Sequence, residues 1–519
     1  MSKSCFLFIV VAAISWFSSS QVQAFSSFDL VIRNGRVIDP DSGLDAIRNI
    51  GINGKRIAVI SENALEGDKV IDASGQVVAP GFIDLHHHGQ NITGYRMQAV
   101  QGVTTALELE SGVLPIDDWY RAQKRKDLPI HYGASVAWTF ARISVFTDTK
   151  PEAELEYFQN AQGEESWKQE IADKEQFKRL MGLVEEGLKD GALGIGINAG
   201  YAPGYGQKEY FALSKLAAKY KVATFTHVRY ASNSEPQSSF EAVKELIANA
   251  ALTGTHMHIC HINSTSLRDI NATLELFNKA IGKGIPVSAG TYPWGAASTV
   301  AGAALFSTKG WQQKTGYQNK SIQYRPKRLN DSAFRKLRKN NPGALITWHF
   351  LDESKPEEQT LLDKSVVHDD VLIESDSMPW MLIDGEKVEN YQGSDWPIPD
   401  NAFAHPRSSG SFVKVLQEYV RERQLMTLSE AINKMSTMPA DILDDFVPQM
   451  KKKGRLQPGM DADIVIFNPD TVANRATYET PNKTPIGVTT VIVNGKFVVE
   501  NEMLKVDAAP GKPIRRKSR

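Results

Sequence analysis

Residues 80–88 read PGFIDLHHH, an apolar run that ends in three consecutive imidazoles. Side chains alternate along a strand, so His86 and His88 share one face while His87 takes the other. Two imidazoles converging at the end of a buried strand make half of a metal site. Seven more short apolar segments follow: GVTTALELE (102–110), HYGASVAW (131–138), ALGIGINA (192–199), VATFTHVR (222–229), HMHICHI (256–262), IPVSAGTY (285–292) and VLIESDS (371–377). Amphipathic stretches such as YFALSKLAAKYK and FEAVKELIANAAL separate most of them. Strand and helix alternating through eight repeats is the pattern of an α/β chain folded as a (β/α)8 TIM barrel, here over residues 80–445. A doubly wound open sheet is the alternative, but no Gly-rich phosphate turn follows any of the strands.

Both flanks of this span are different in character. DLVIRNGRVID, NIGINGKRIAVI and KVIDASGQVVAP, within residues 25–79, are Val/Ile-rich runs broken by Asn-Gly turns. The same style returns in ADIVIFNP and GVTTVIVNGKFV, within residues 446–505. The reading is a small β-sandwich domain assembled from both chain ends. Residues 506–519 close the chain as a basic tail, ending in KPIRRKSR, which is expected to be solvated. Two stretches exceed a minimal barrel: 141–185, which look helical, and an insertion of about 300–370, polar, Lys-rich and irregular. An insertion of that kind suits a lid or substrate loop.

The chain has 519 residues, 42% hydrophobic and 23% charged, with a net charge of −1. That is ordinary for a globular enzyme and gives no reason to expect nucleic acid as a partner. Lys3, an apolar run from Cys5 to Phe17, and Val22-Gln23-Ala24 make residues 1–24 a secretory signal peptide cleaved after Ala24. The run is too short to span a bilayer comfortably, so no stable membrane anchor is expected after cleavage. An exported protein, periplasmic or secreted, follows. Of the two cysteines only Cys260 would then remain, so the mature chain has no disulfide.

His227 and His261 close the fifth and sixth strand candidates, and Asp376 closes the eighth. Any one of these histidines alone is more often structural than ligating. Four histidines and a carboxylate at strand ends that share one barrel mouth are much harder to explain by packing. His256 and His258 have parity opposite to His261 and are expected to face the helices, with Cys260 pointing away from the mouth and inert. Glu108 and Glu110 lie on one face near the end of the second strand, where an unpartnered carboxylate would be costly.

PGFIDLHHH resembles the PGFID-x-H-x-H signature of the amidohydrolase superfamily, and GRLQPGMDADIVIFNP (454–469) resembles its C-terminal strand motif. QGVTT (101–105), THVR (226–229), ESDSMP (374–379) and HPRSSGSF (405–412) resemble the D-aminoacylase branch, the N-acyl-D-amino-acid deacylases. The likeness runs from about Asp29 to Phe497. It implies a zinc hydrolase with one or two Zn2+, in which His86 and His88 hold the more buried ion and His227 and His261 the more exposed one. Asp376 is then the general base that takes a proton from water and returns it to the leaving amine.

The chain departs from the branch in three places. Ser111 stands where the branch has a cysteine ligand, ALGIGINA has none of the bridging lysine of many relatives, and Asn263 stands where relatives have a lysine. Glu110 is therefore nominated as the bridging ligand, with Glu108 close behind. For a substrate carboxylate the candidates are Arg229, Tyr292, Ser298 and Arg407, and Trp294 and Trp380 are candidates for an apolar wall. The activity implied is deacylation of a small molecule, an N-acyl-D-amino acid or related dipeptide. Alternatives are a cyclic amidase of the dihydropyrimidinase or hydantoinase kind, and a non-catalytic relative that binds a metal or ligand.

Overall fold

A computed structural model describes residues 27–518, so the signal-peptide segment 1–24 lies outside the described residues. Each of the eight expected segments contributes one parallel barrel strand: β1 Phe82–Asp84, β2 Val103–Val113, β3 His131–Ala137, β4 Gly194–Asn198, β5 Ala223–His227, β6 Met257–Ile259, β7 Val287–Thr291 and β8 Val371–Ile373. They pair in sequence order into one sheet. Its two edges meet where His87 bridges Ser377 and the His88 N–H donates to the Ser377 carbonyl at 2.9 Å. Ile83, Leu85, Leu107, Leu109, Phe225 and Leu372 pack in one cluster with Leu443, Val447 and Met450 from the segment after the last barrel helices. A filled lumen of this kind leaves the C-terminal mouth as the place for chemistry.

Nine strands drawn from Phe28–Pro80 and Ile464–Leu504 pair into one sheet beside the barrel. His131, Asp463 and Lys453 tie this sheet to the barrel at the start of β3, with Lys453 Nζ 2.6 Å and His131 Nε2 3.2 Å from Asp463 Oδ2. No helix among the described residues is long and apolar enough to cross a membrane.

Residues 141–185 are helical, as expected, with Lys174–Lys189 started by an Asp173–Gln176 capping box. The stretch about 300–370 is not irregular. Ala296–Val300, Leu345–His349, Ile322–Tyr324 and Lys327–Leu329 form a four-stranded antiparallel sheet, and Pro356–Val366 is a helix leading back to β8. Its polar residues hid short strands whose apolar sides, such as Ile322, Ile346 and Trp348, are buried. A further three-stranded sheet, from Met381–Asp384, Lys387–Asn390 and Ala402–Phe403, follows β8 and was not anticipated.

The basic tail is only partly solvated: Lys512 and Lys517 are exposed, but Ile514 and Arg516 are buried. Its backbone runs along the barrel, with Gly511 N–H donating to Leu128 O at 3.0 Å and Ile514 N–H to Tyr132 O at 2.7 Å. Ile514 is 2% exposed and joins the lumen cluster. One apolar residue among the charges decides the matter, and Arg515 pairs with Asp117 beside it.

Candidate metal centre

His86 and His88 meet Nε2 to Nε2 at 3.0 Å, as their shared face requires. Each ring is held from behind by a carboxylate: Glu374 Oε1 lies 3.2 Å from His86 Nδ1, and Glu108 Oε2 lies 2.8 Å from His88 Nδ1. A carboxylate at Nδ1 fixes the proton there and leaves the lone pair on Nε2. Two such lone pairs facing each other repel unless a cation lies between them. The donor set therefore fits a divalent metal, and imidazole with carboxylate suits zinc.

Glu110 joins this pair to the second one. Its Oε2 is 3.3 Å from His86 Nε2 and 3.5 Å from His88 Nε2, while Oε1 is 3.1 Å from His227 Nδ1 and 2.8 Å from His261 Nε2. His86, His88 and Glu110 form one group with metal-ligand spacing, and Glu110, His227 and His261 form another. Burial alone would raise the Glu110 carboxyl, but the imidazoles of His86, His227 and His261 hold it well below the usual range. Of the two glutamates, Glu110 lies between the two histidine pairs and Glu108 behind the His88 ring.

Asp376 sits over the first pair, with Oδ1 3.3 Å from both His86 Nε2 and His88 Nε2. Burial opposes its ionisation, yet Arg407 and His86 keep its carboxyl below the ordinary value. Both Asp376 (φ 48°) and His261 (φ 36°) take the left-handed backbone region that non-glycine residues rarely adopt. Each comes just past the end of a strand, and the turn swings its side chain back over the mouth. Such strain collects at functional sites because surrounding contacts hold it in place.

That turn also breaks the parity expected on β6. His258 does not face the helices: it is fully buried, with Nε2 3.3 Å from Glu374 Oε2 and Nδ1 2.8 Å from Ser288 Oγ. Cys260 likewise lies under the centre, within ligand spacing of His86 and Glu374. Burial pushes its thiol well above the ordinary value, so it is unreactive there. His256 shares Ser288 Oγ at 2.8 Å. His87 points away from the centre to Ser377 Oγ at 2.5 Å, and burial lowers its pKa to about 3.

Glu374 was overlooked although ESDS names it. It touches both halves of the centre, through the His86 ring and through the His261 N–H at 2.7 Å. A Cβ on Gly290 would lie 2.3 Å from its carboxylate, so this strand position must be glycine for Glu374 to fit. Tyr201, which no motif singles out, packs at a tilt against His227 with ring centroids 5.1 Å apart and hydrogen-bonds Thr299 Oγ1 at 2.8 Å.

Above the centre opens a cavity of about 170 Å³. Ser298 and Trp380 line it, as does Ser111, whose Oγ accepts from Asn198 Nδ2 at 2.9 Å. Arg229 does not reach it. The guanidinium is held by both oxygens of Glu245, at 3.0 and 2.7 Å, and lies 3.6 Å over the Tyr205 ring. The strand ends at His227, so alternation no longer sets the direction of Arg229, and its guanidinium is paired away from this cavity. Trp294 is also absent from the lining, buried with Nε1 3.2 Å from Ser411 Oγ. Arg407 and Tyr292 lie behind Asp376. Arg407 Nη2 is 2.8 Å from Asp376 Oδ1, its guanidinium is 4.8 Å over the Tyr292 ring, and neither it nor the Tyr292 hydroxyl makes a regular hydrogen bond. Asn263 donates to Tyr292 O at 2.9 Å.

The profile of the amidohydrolase family matches residues 69–346 and 334–499. An N-acyl-D-glutamate deacylase of Alcaligenes xylosoxydans xylosoxydans is 28% identical over 498 residues, 90% of this chain and 93% of the relative. A D-aminoacylase of the same organism is 26% identical over 510 residues, 92% and 95% of the two chains. Among solved structures, N-acyl-D-glutamate deacylase from Bordetella bronchiseptica, complexed with zinc and a phosphonate mimic of the tetrahedral intermediate, superposes with a TM-score of 0.73 at 23% identity. That match covers 94% of this chain and 100% of the other.

Proposed function

This chain belongs to the amidohydrolase family, and from that premise we propose that it hydrolyses a linear amide, removing the acyl group from an N-acyl-D-amino acid or related dipeptide. The observation that carries the reading is Glu110 set between two histidine pairs with Asp376 poised over one of them. His86, His88 and Glu110 would hold one zinc ion, and Glu110, His227 and His261 a second. Metal bound there supplies Lewis acidity, polarising the amide carbonyl and drawing the pKa of water down to about 7.

The chain's own residues do the rest. Asp376, kept ionised by Arg407, takes the proton from the attacking water at a carboxylate oxygen and passes it to the departing nitrogen. Tyr201 offers a neutral hydroxyl beside His227. Arg407, Tyr292 and Ser298 are assigned to the substrate carboxylate; the Arg407 nitrogens and the Tyr292 hydroxyl, buried behind Asp376, have no hydrogen-bond partner of their own. Burying the site in a cavity excludes bulk water and strengthens each of these contacts.

Metal analysis of the purified protein together with a panel of N-acetyl-D-amino acids tests the reading. Zinc at one or two equivalents with release of acetate supports it. Turnover of hydantoins but not of linear amides would replace it with a cyclic amidase, and metal without any turnover with a non-catalytic relative. We also propose export with loss of residues 1–24. A mature N-terminus at Phe25 supports that, and an intact Met1 overturns it.

A further inference from the structure

Beyond the metal centre, the cavity has two unlike walls. One is built from the helix Leu155–Asn160 and the inserted sheet, and presents Phe158, Val300, Leu305, Leu345 and Trp348. Val300 and Leu345 face each other directly across neighbouring strands, and Ala297 is paired with Trp348 in the same ladder. The opposite wall presents amides, among them Gln90, Gln123, Asn390 and Gln392.

Charge is scarce on both walls. Lys126 is the single lysine or arginine among the described residues that line the cavity. Glu154 lines it too, and each of the two shifts the other toward its charged form against the cost of burial. Of the nearby guanidiniums, Arg229 is paired with Glu245, and Arg407, beside Asp376, is the one assigned to the substrate's own carboxylate, so neither is left for an acidic side chain. A second carboxylate entering here would lose its water and meet only Lys126, whose charge Glu154 already offsets, whereas an apolar group would be welcomed by the aromatic wall.

Geometry also says which end of a substrate meets that wall. Ser298, assigned to the carboxylate, is two residues from Val300 on one strand, so the two share a face. The amino-acid side chain leaves the same carbon as the carboxylate, and it is this group that reaches Val300 and Leu345. We infer that the enzyme selects acylated amino acids with a bulky apolar side chain and discriminates against acidic ones, unlike the glutamate deacylase to which it is similar. The inference rests on the deacylase reading above.

The test is kcat/KM for N-acetyl-D-leucine, N-acetyl-D-phenylalanine, N-acetyl-D-aspartate and N-acetyl-D-glutamate on the zinc-loaded enzyme. The apolar pair is expected to exceed the acidic pair by on the order of 100-fold, the scale a hydrophobic pocket achieves. Leu345→Arg should narrow that ratio by raising the acidic substrates, and Trp348→Ala should cost more on D-phenylalanine than on D-alanine. Acidic substrates hydrolysed best, with that preference lost in Lys126→Met, would overturn the inference and leave the deacylase reading standing. No turnover of any of the four would remove both. The wild-type panel decides the matter even where a wall variant fails to fold.

Discussion

The barrel holds two buried clusters of imidazole and carboxylate, one at each end, and they differ in how their charge is met. At the lower end Asp463 receives Lys453 Nζ at 2.6 Å, His131 Nε2 at 3.2 Å and the Asn494 N–H at 2.7 Å. Lys453 also reaches Asp461 at 3.0 Å, which Arg56 neutralises from the other side. At the mouth, Glu108, Glu110, Glu374 and Asp376 face one guanidinium, Arg407. The balance there must come from protonated imidazoles or from bound metal. Proximity of histidine and carboxylate is thus common to a structural joint and to a metal centre. What separates them is whether the protein supplies its own cation.

The sharpest way to break this contrast is to change one carboxylate or cation in each cluster. Asp376→Asn is expected to lower kcat by about 10²–10⁴-fold, the usual contribution of a general base, with metal content unchanged. Hydrolysis at the wild-type rate would remove Asp376 from its role. Lys453→Met, at the other end, should leave zinc content alone and cost about 3–5 kcal/mol of stability, because it strands a buried carboxylate. Thermal melting and metal analysis of the same sample separate the outcomes, and loss of zinc from this variant would refute the division.

A smaller effect sharpens the boundary within the mouth itself. Glu374 touches His86 and the backbone of His261 without being a proposed ligand. Glu374→Gln is expected to weaken zinc binding by about 10–100-fold, measured by chelator competition, as outer carboxylates that orient imidazoles typically do. Glu108→Gln should do the same through His88, whereas Glu110→Ala should cost a whole equivalent of metal. Equal losses from all three would mean that Glu110 is no more a bridge than the others.

Much of this was legible in the chain. All eight barrel strands stand in apolar runs whose spacing is that of the fold, and His86, His88, His227, His261 and Asp376 are found together at the mouth. The failures have one physical source. Alternation predicts direction only while a strand continues: β6 ends at Ile259, His258 and Cys260 keep the inward face, and the left-handed turn brings His261 to the centre against its parity. Arg229 failed for another reason: spacing along a strand places a side chain but says nothing of its partner, and Glu245 is on the following helix. Glu374 was hidden by its strength as a signal for Asp376 two residues on. The inserted sheet was hidden by strands of three to five residues, too short to show a period.

Acidification distinguishes the two clusters by the window in which each gives way. Burial would raise the Asp463 carboxyl, but Lys453 and His131 hold it far below the ordinary value. A carboxylate whose pKa is lower folded than unfolded contributes stability that is fully present above its unfolded pKa, about 3.9, and is lost as pH falls through the folded one. Stability from the lower cluster should therefore persist to about pH 4 and decline below it. Zinc held by imidazole competes with protons at the ligands and is released at higher pH, on the scale of the ordinary histidine pKa of about 6.5. Zinc content and urea midpoint are the two readouts, taken from pH 7 down to pH 3 with chelator-treated protein as the control for metal-linked stability. Metal should leave first, while the midpoint of the chelated protein holds until the acid limb. In Asp463→Asn that limb should flatten with the metal-loss curve unmoved, and a shift of both curves together would join the clusters that the structure separates.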